Sequence, residues 1–399
     1  MWAVLVGIGV TWLASVLTHA NTLLRDRHKR SIAVVLATLA TGSAVYAGWS
    51  AYRESQRKDV YRPKDIDRDL ELGEASGGST AGDTAYVVND ETTGVFVSQF
   101  EPSEGYFKNF KLLALERCAD ASVGGCRRLV KKDVNDLEGV AVDPRPQHRE
   151  LYLVTSHSNN RNGKQKHQRE ALLRLDRSTE TDDAIRVSGT VNLRPALEKL
   201  LFGKVGDHIV QSGYAKEFAY KRPDDDTSQI DEIKVGMEIE GLAMDANGML
   251  YFGLRAPLCT NGHGAIIVTA TADELFANEP FDQQADAERF KHYCVGAEFE
   301  GTAHGIVSME YDTDSREIVV LTGSPYPYEI AAPRVCRWSL AEPLQLRACT
   351  KLPPLREPQL GKQEALLLPP ASQRVITMLD TEKGLGGQIS YTRSEAGLP

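Results

Sequence analysis

The chain has 399 residues, 42% of them hydrophobic and 25% charged, which is enough apolar side chain for a large core and excludes wholesale disorder. A net charge of −9 argues against a nucleic-acid binder, which would carry a basic face. Thirty-three glycines without a short period exclude a collagen-like chain.

Two uncharged apolar runs come first, Met1 to Ala20 and Ser31 to Tyr52. Each is long enough to cross a hydrocarbon core of about 30 Å. Small residues recur at helical spacing in both: Ala3, Gly7, Thr11 and Ser15 in the first, Ala33, Ala37, Ala40, Ala44 and Gly48 in the second. Such stripes let two helices approach closely in lipid, so a transmembrane helical hairpin is expected, with its small-residue faces open to a membrane-protein partner or a second copy. The basic connector Arg25-Asp26-Arg27-His28-Lys29-Arg30 should stay in the cytoplasm, which exports everything after residue 52. A signal peptide cleaved after Val45-Tyr46-Ala47 is the alternative, and it exports the same residues. The expected location is the bacterial inner membrane with the large domain in the periplasm.

Residues 53–72 are charged and poor in apolar side chains, as in a linker. All six cysteines follow it. Cys118 and Cys126 bracket a Gly-Gly turn, Cys336 and Cys349 bracket a polar turn between apolar strands, and Cys259 and Cys294 pair by elimination. An even, hairpin-paired set suits an oxidising compartment.

From residue 73 to 399 the chain reads as short strands separated by turns, with helical insertions at Pro195 to Phe202, Asp273 to Phe276 and Gln283 to Phe290. A strand pair repeats. Asp136-Leu-Glu-Gly-Val-Ala-Val-Asp143 precedes Leu151 to His157, and Glu238-Ile-Glu-Gly-Leu-Ala-Met-Asp245 precedes Leu250 to Arg255. Ala303 to Met309 with Ile318 to Ser324, Lys362 to Leu368 with Val375 to Asp380, and a fainter Gly73 to Ser76 with Ala85 to Asp90 follow the same logic. Near-continuous apolar strands imply burial on both faces. The repeat predicts an all-β fold, a β-propeller of six blades or five, preceded by the transmembrane hairpin. The 102 residues from Glu138 to Glu240 admit either two repeats or one with a helical insertion.

In a propeller the first strand of each blade lines the axis, so the residues leading those strands meet at one mouth. These are Glu74, Glu138, Glu240, His304 and Glu364. The residues ending the second strands surround them: Asn89, Asp90, Ser156, His157, Arg255, Ser324 and Asp380. Crowded carboxylates raise one another's pKa or recruit a cation, so Glu74, Glu138, Glu240 and Glu364 are candidate ligands for Ca²⁺. Equally, each glutamate could satisfy backbone N–H groups at the turn entering its blade. Arg255 could bind an anionic group, His157 could shuttle a proton, and Glu138 and Glu240 could act in acid–base catalysis. The polar run after Ser156 adds Asn159, Asn160, Arg161 and Lys164 as candidate ligand contacts. GxSxG, Walker A and HExxH patterns are absent from the sequence.

DLEGVAVD with LYLVTSHSNNRNGK, and EIEGLAMD with LYFGLRAP, resemble the bacterial domain family DUF3616 over roughly residues 73–391. That resemblance implies a six-bladed propeller similar to esterase-like phytase domains and gluconolactonase-like proteins, and through them a calcium-dependent hydrolase acting on a small anionic ester. The absence of a visible nucleophile constellation favours the other expectation: a membrane-anchored propeller that binds a ligand or partner at its mouth.

Overall fold

The computed structural model describes residue 42 and residues 45–62, 72–73, 75–118, 125–158, 166–202, 237–259, 264–277, 285–324, 332–356, 361–369, 372–381 and 386–399. The chain divides into two compact parts, residues 1–59 with 353–356, and residues 60–352 with 357–399. The smaller part carries helix α1 (residues 45–55), with Val45, Tyr46, Trp49 and Tyr52 exposed. The expected span Met1 to Ala20 lies outside the described residues, as does most of Ser31 to Tyr52. Among the described residues no helix is long and apolar enough to cross a membrane.

The larger part is a ring of mostly antiparallel strand groups, or blades, the first two of which share one sheet because residues 114–116 pair in parallel with residues 184–186. Blade 1 comprises β1 (Ala75–Ala81), β2 (Thr84–Asn89), β3 (Gly94–Glu101) and β4 (Tyr106–Cys118), with β5 (Cys126–Arg128) added beside β4. Blade 2 is β6 (Leu137–Val142), β7 (Glu150–Thr155), β8 (Ala171–Asp176) and β9 (Ala184–Asn192), followed by α2 (Arg194–Phe202). Blade 3 is β10 (Glu238–Met244), β11 (Met249–Ala256), β12 (Gly264–Thr271) and β13 (Lys291–Gly296), with α3 (Ala272–Ala277) after β12. A two-residue ladder, β14 (Glu298–Phe299) and β15 (Thr302–Ala303), leads into blade 4. Blade 4 is β16 (Gly305–Asp312), β17 (Glu317–Gly323), β18 (Arg334–Trp338) and β19 (Arg347–Lys351). Blade 5 is β20 (Lys362–Leu367), β21 (Arg374–Asp380) and β22 (Gln388–Thr392). The helical insertions fall at α2, α3 and a 3-10 turn at Ala285–Arg289.

The first strands β1, β6, β10, β16 and β20 touch in that order, and β20 touches β1 again. The result is a β-propeller-like ring, with five blades among the described residues. Because β6 and β10 are direct neighbours, the long interval between Glu138 and Glu240 takes the reading with a helical insertion. Apolar clusters fill the spaces between consecutive sheets. One joins blades 1 and 2 (Val88, Leu115, Val140, Leu153), and another joins blades 2 and 3 with both helices (Val154, Leu197, Leu242, Phe252, Leu275). A third joins blades 3 and 4 (Ile267, Met309, Trp338), and a fourth joins blades 5 and 1 (Leu367, Met378, Phe96, Phe107). A strand sandwiched this way is apolar on both faces, which is why the repeat reads as continuous hydrophobic runs. The ring is tied at its outer edge too. Tyr61 pairs with Gln388 on the free edge of β22, and the Gln388 side chain bridges the Phe107 amide and carbonyl at 3.0 and 2.8 Å.

The three disulfides pair as expected, Cys118–Cys126, Cys259–Cys294 and Cys336–Cys349. The first and third join neighbouring strands of a hairpin. The second crosses from the end of β11 to β13, over β12.

Every first strand carries a register shift at one equivalent position. It falls at Ser76 in β1, Glu138 in β6, Glu240 in β10, Val307 in β16 and Glu364 in β20. A bulged residue has no ladder partner, and the bulge re-aims its side chain. The next residue is small, because the neighbouring first strand passes over it. A Cβ on Gly77 would overlap the Glu138 carbonyl oxygen, one on Gly139 would come within 2.7 Å of Leu242 Cβ, and one on Gly241 within 2.7 Å of Met309 Cγ. The Glu-Gly pair in the repeat is therefore a bulge followed by a close backbone approach. This register also corrects the sequence alignment. The positions equivalent to Glu138 are Ser76 in blade 1 and Val307 in blade 4, not Glu74 and His304, because those two blades carry no glutamate at the bulge to mark it.

Candidate functional site

Two of the three bulge glutamates, Glu240 and Glu364, meet at one arginine. Arg255, at the end of β11, places Nη1 on Glu240 Oε1 and 3.6 Å from Glu364 Oε1, while its Nε donates to the Ser324 carbonyl at 3.1 Å. Thus the Glu240 and Glu364 carboxyls face each other across one guanidinium. Glu240, Glu364 and Arg255 are all less than a tenth exposed. Buried Glu240 Oε2 and Glu364 Oε1 have no hydrogen-bond partner. Glu138 is partly buried and, among the described residues, makes no hydrogen bond or ion pair. Among the described residues, none of the three accepts a backbone N–H.

Electrostatics follows from this crowding. Burial raises Glu138 well above the usual carboxylate range, and Asp136, Glu240, Asp90 and Glu238 add to it. Burial also raises Glu240, against the pull of Arg255 and with the push of Glu364 and Glu238. Glu364 is raised by burial, against Arg255 and with Asp380. Burial works against the charge on Arg255, but Glu240, Glu364 and Glu238 outweigh it and hold the guanidinium above its ordinary value. One cation offsets about one carboxylate, so the group as a whole holds protons to higher pH than free carboxyls do. For Glu138 every cause acts in the raising direction.

The remaining sequence-predicted residues divide. Asp90 and Asp380 act electrostatically on Glu138 and Glu364, and Lys362 lies 3.8 Å from both Asp380 and Glu364. Ser324 contributes its backbone oxygen to Arg255. Ser156 donates to Asp136, which Arg169 meets at 2.9 Å, and the Ser156 carbonyl receives the Ile239 amide beside Glu240. Asn89 is structural, its Oδ1 accepting the Thr92 amide at 2.8 Å. Glu74, Asn159, Asn160, Arg161 and Lys164 lie outside the described residues.

The two histidines are engaged by other groups. His157 is fully buried, with positive φ and its Nδ1 2.7 Å from the Thr155 carbonyl, so Nδ1 carries the proton and Nε2 is an unpartnered lone pair. Burial lowers its pKa to about 4, and the charges acting on it are Arg194 and Glu170. At neutral pH it has no proton to give from Nε2. His304 packs edge-on against Phe299 with its Nδ1 3.2 Å from Thr322 Oγ1, and burial together with Arg334 lowers it to about 4.

The expected calcium ligands do not form a metal-sized set. Among the described residues, the acidic or imidazole groups whose ligand atoms gather within 4.8 Å of one another are Asp143, His148 and Glu150, not the bulge glutamates. Between Glu240 and Glu364 the cation is Arg255 itself.

A second feature, missed from the sequence, lies where the first strands end. A cavity of about 380 Å³ is lined by Thr80, Asp143, Arg145, Glu310, Asp312 and Arg393 among others. Glu310 sits on its floor, accepting the Thr80 and Leu368 amides at 2.6 Å each, and burial pushes its pKa up to about 8. Arg145 forks onto Asp143, and Arg393 pairs with Asp312. In sequence, Glu310 is one polar letter inside an apolar strand, and the other lining residues come from several blades. Only the closing aspartates of the repeat, Asp143 and Asp245, hint at this end. There they accept turn amides, as from Arg145 and Asn247 at 2.9 Å each.

Fold and site define a disulfide-bonded, mostly β protein of propeller-like architecture with an acidic mouth closed around one arginine. No protein-family model and no curated protein matches the chain. Among solved structures it is similar to a GH43 β-1,3-galactosidase (11% identity, TM-score 0.44, covering 84% of this chain and 93% of that one). It is also similar to the glutaminyl cyclase of Myxococcus xanthus (10%, TM-score 0.40, 84% and 97%). A third is the mannose phosphorylase MPT-4 of Leishmania mexicana (10%, TM-score 0.40, 86% and 91%).

Proposed function

We propose that this chain is an exported, membrane-anchored propeller of the DUF3616 kind that binds a small ligand at the mouth formed by Glu138, Glu240, Glu364 and Arg255. One observation carries the reading: Glu240 Oε2 and Glu364 Oε1 are buried without a hydrogen-bond donor. An unsatisfied buried polar atom costs about 1–3 kcal/mol, and a ligand that supplies the donor recovers that energy. The apolar runs before residue 53 and the three disulfides support export and anchoring. The test is thermal melting of the full chain in mild detergent against metal ions, amines and polyols. A stabiliser whose effect disappears in Glu240→Gln supports the mouth, whereas a stabiliser indifferent to Glu240 places binding elsewhere. Alkaline phosphatase fused after residue 72 would be active if the domain is exported.

A hydrolytic reading has one observation in its favour. Glu138, its pKa raised by burial and acidic neighbours, lies within electrostatic reach of Glu240, which is paired with Arg255. Two carboxyls whose surroundings set them apart can serve as acid and base. Turnover of phosphate esters or lactones that is lost in Glu138→Gln would establish it, and a silent screen with calcium present would leave the binding reading.

A further inference from the structure

We propose that the acidic mouth takes the primary ammonium group of a small organic amine, held between Glu240 Oε2 and Glu364 Oε1 beside Arg255, with Glu138 on a further side. This rests on the reading of the mouth as a ligand site and names what that ligand must carry.

The first requirement is a hydrogen-bond donor. Two buried carboxyl oxygens on facing side chains lack one, and Glu138 makes no bond among the described residues. The second requirement is the sign of the charge. Asp90, Asp136, Glu238 and Asp380 act on the three glutamates, and the opposing cations are Arg255, Lys362 and Arg169. Among the described residues, seven acidic groups against three basic ones disfavour an anion and leave a hydroxyl ligand without the Coulomb gain that a cation would receive.

The third requirement separates an ammonium from a metal ion. Ca²⁺ needs six to eight oxygens at about 2.3–2.6 Å, packed tightly around it. The mouth glutamates are not gathered within 4.8 Å of one another, and a guanidinium already stands between two of them. A divalent ion there would meet that guanidinium at close range. An ammonium carries one charge and spreads it over three N–H donors that reach oxygens at about 2.8–3.0 Å, so it tolerates wider spacing. It also mimics what the site already accepts, because Arg255 is itself an N–H cation bound to the same carboxyls.

The test is isothermal titration of the full chain, disulfides intact, at pH 8 with propylamine, putrescine, calcium chloride and sodium phosphate in turn. An amine should bind one to one, and phosphate should not bind. Glu138→Gln and Glu240→Gln should each weaken the amine about tenfold or more. Glu138→Gln is the safer variant for folding, since Glu138 has no partner to lose among the described residues. Affinity should fall as the pH is lowered, because the raised carboxyls take up protons and lose the charge that holds the ammonium. Calcium binding that depends on Glu138 and Glu240, with no amine binding, would keep the mouth as a ligand site and overturn the amine. Amine binding unchanged in both variants would also overturn it. If none of the probes binds in a way that either variant alters, the amine inference and the reading of the mouth both fail.

Discussion

Replacing Arg255 with methionine tests the electrostatic account of the mouth. Methionine keeps much of the side-chain volume and removes the guanidinium from Glu240, from the 3.6 Å approach to Glu364 and from the Ser324 carbonyl. Breaking a buried ion pair by removing one partner costs about 3–5 kcal/mol. Proton uptake sets a ceiling. A carboxyl whose unfolded pKa is about 4.3 can be neutralised for about 1.36 kcal/mol per pH unit above that value, hence about 5 kcal/mol at pH 8 but only about 1 kcal/mol at pH 5. The lost bond to Ser324 adds about 1 kcal/mol at both. Arg255→Met should therefore cost about 4–6 kcal/mol at pH 8 and about 2 kcal/mol at pH 5. The sign follows from a raised folded-state pKa: the stability is fully present below the unfolded pKa and is lost as pH rises through the folded one. Urea unfolding followed by the fluorescence of buried Trp338 would measure both values. A loss below about 1.5 kcal/mol at pH 8, or an equal loss at the two pH values, would refute the idea that Arg255 balances buried carboxylates.

Three further outcomes follow from the same structure. With Glu310 pushed up to about 8, the wild-type chain should lose stability as pH rises from the ordinary carboxylate range through 8. Glu310→Gln should flatten that slope while costing about 1–2 kcal/mol at pH 6, since one amide oxygen must serve both the Thr80 and Leu368 amides; urea titrations from pH 5 to 8.5 would show it. Removing the Cys259–Cys294 pair, 35 residues apart, should destabilise more than removing Cys118–Cys126, 8 apart, by about 1.3 kcal/mol on loop entropy, as read from paired double-alanine variants. Gly77→Ala should cost about 1–3 kcal/mol in the same assay, because the new methyl meets the Glu138 carbonyl; a neutral result would mean the first strands are less tightly packed than described here.

The echo of Asp-Leu-Glu-Gly-Val-Ala-Val-Asp in Glu-Ile-Glu-Gly-Leu-Ala-Met-Asp is legible because each position has a local job. The glutamate is the bulge, the glycine admits the neighbouring strand, and the aspartate accepts the turn amides. The hairpin cysteine pairs are legible for a similar reason: they sit across adjacent strands. Where the bulge residue is Ser76 or Val307, the repeat loses its polar marker, and the eye moves to nearby Glu74 and His304 instead. His157 looks like an actor because it follows a strand at the right end, yet its ring is spent on the Thr155 carbonyl beneath Arg194.

By itself the sequence determined that short two-faced strands recur, that carboxyls recur at their starts, and that two cysteine pairs close hairpins, since all of these are encoded by neighbours a few residues apart. Only the tertiary structure decided that Arg255 stands between Glu240 and Glu364, and that a cavity with Glu310 at its floor opens at the other end. Those arrangements depend on how far apart the first strands lie around the ring, a distance set by packing between sheets and written in no single stretch of the chain.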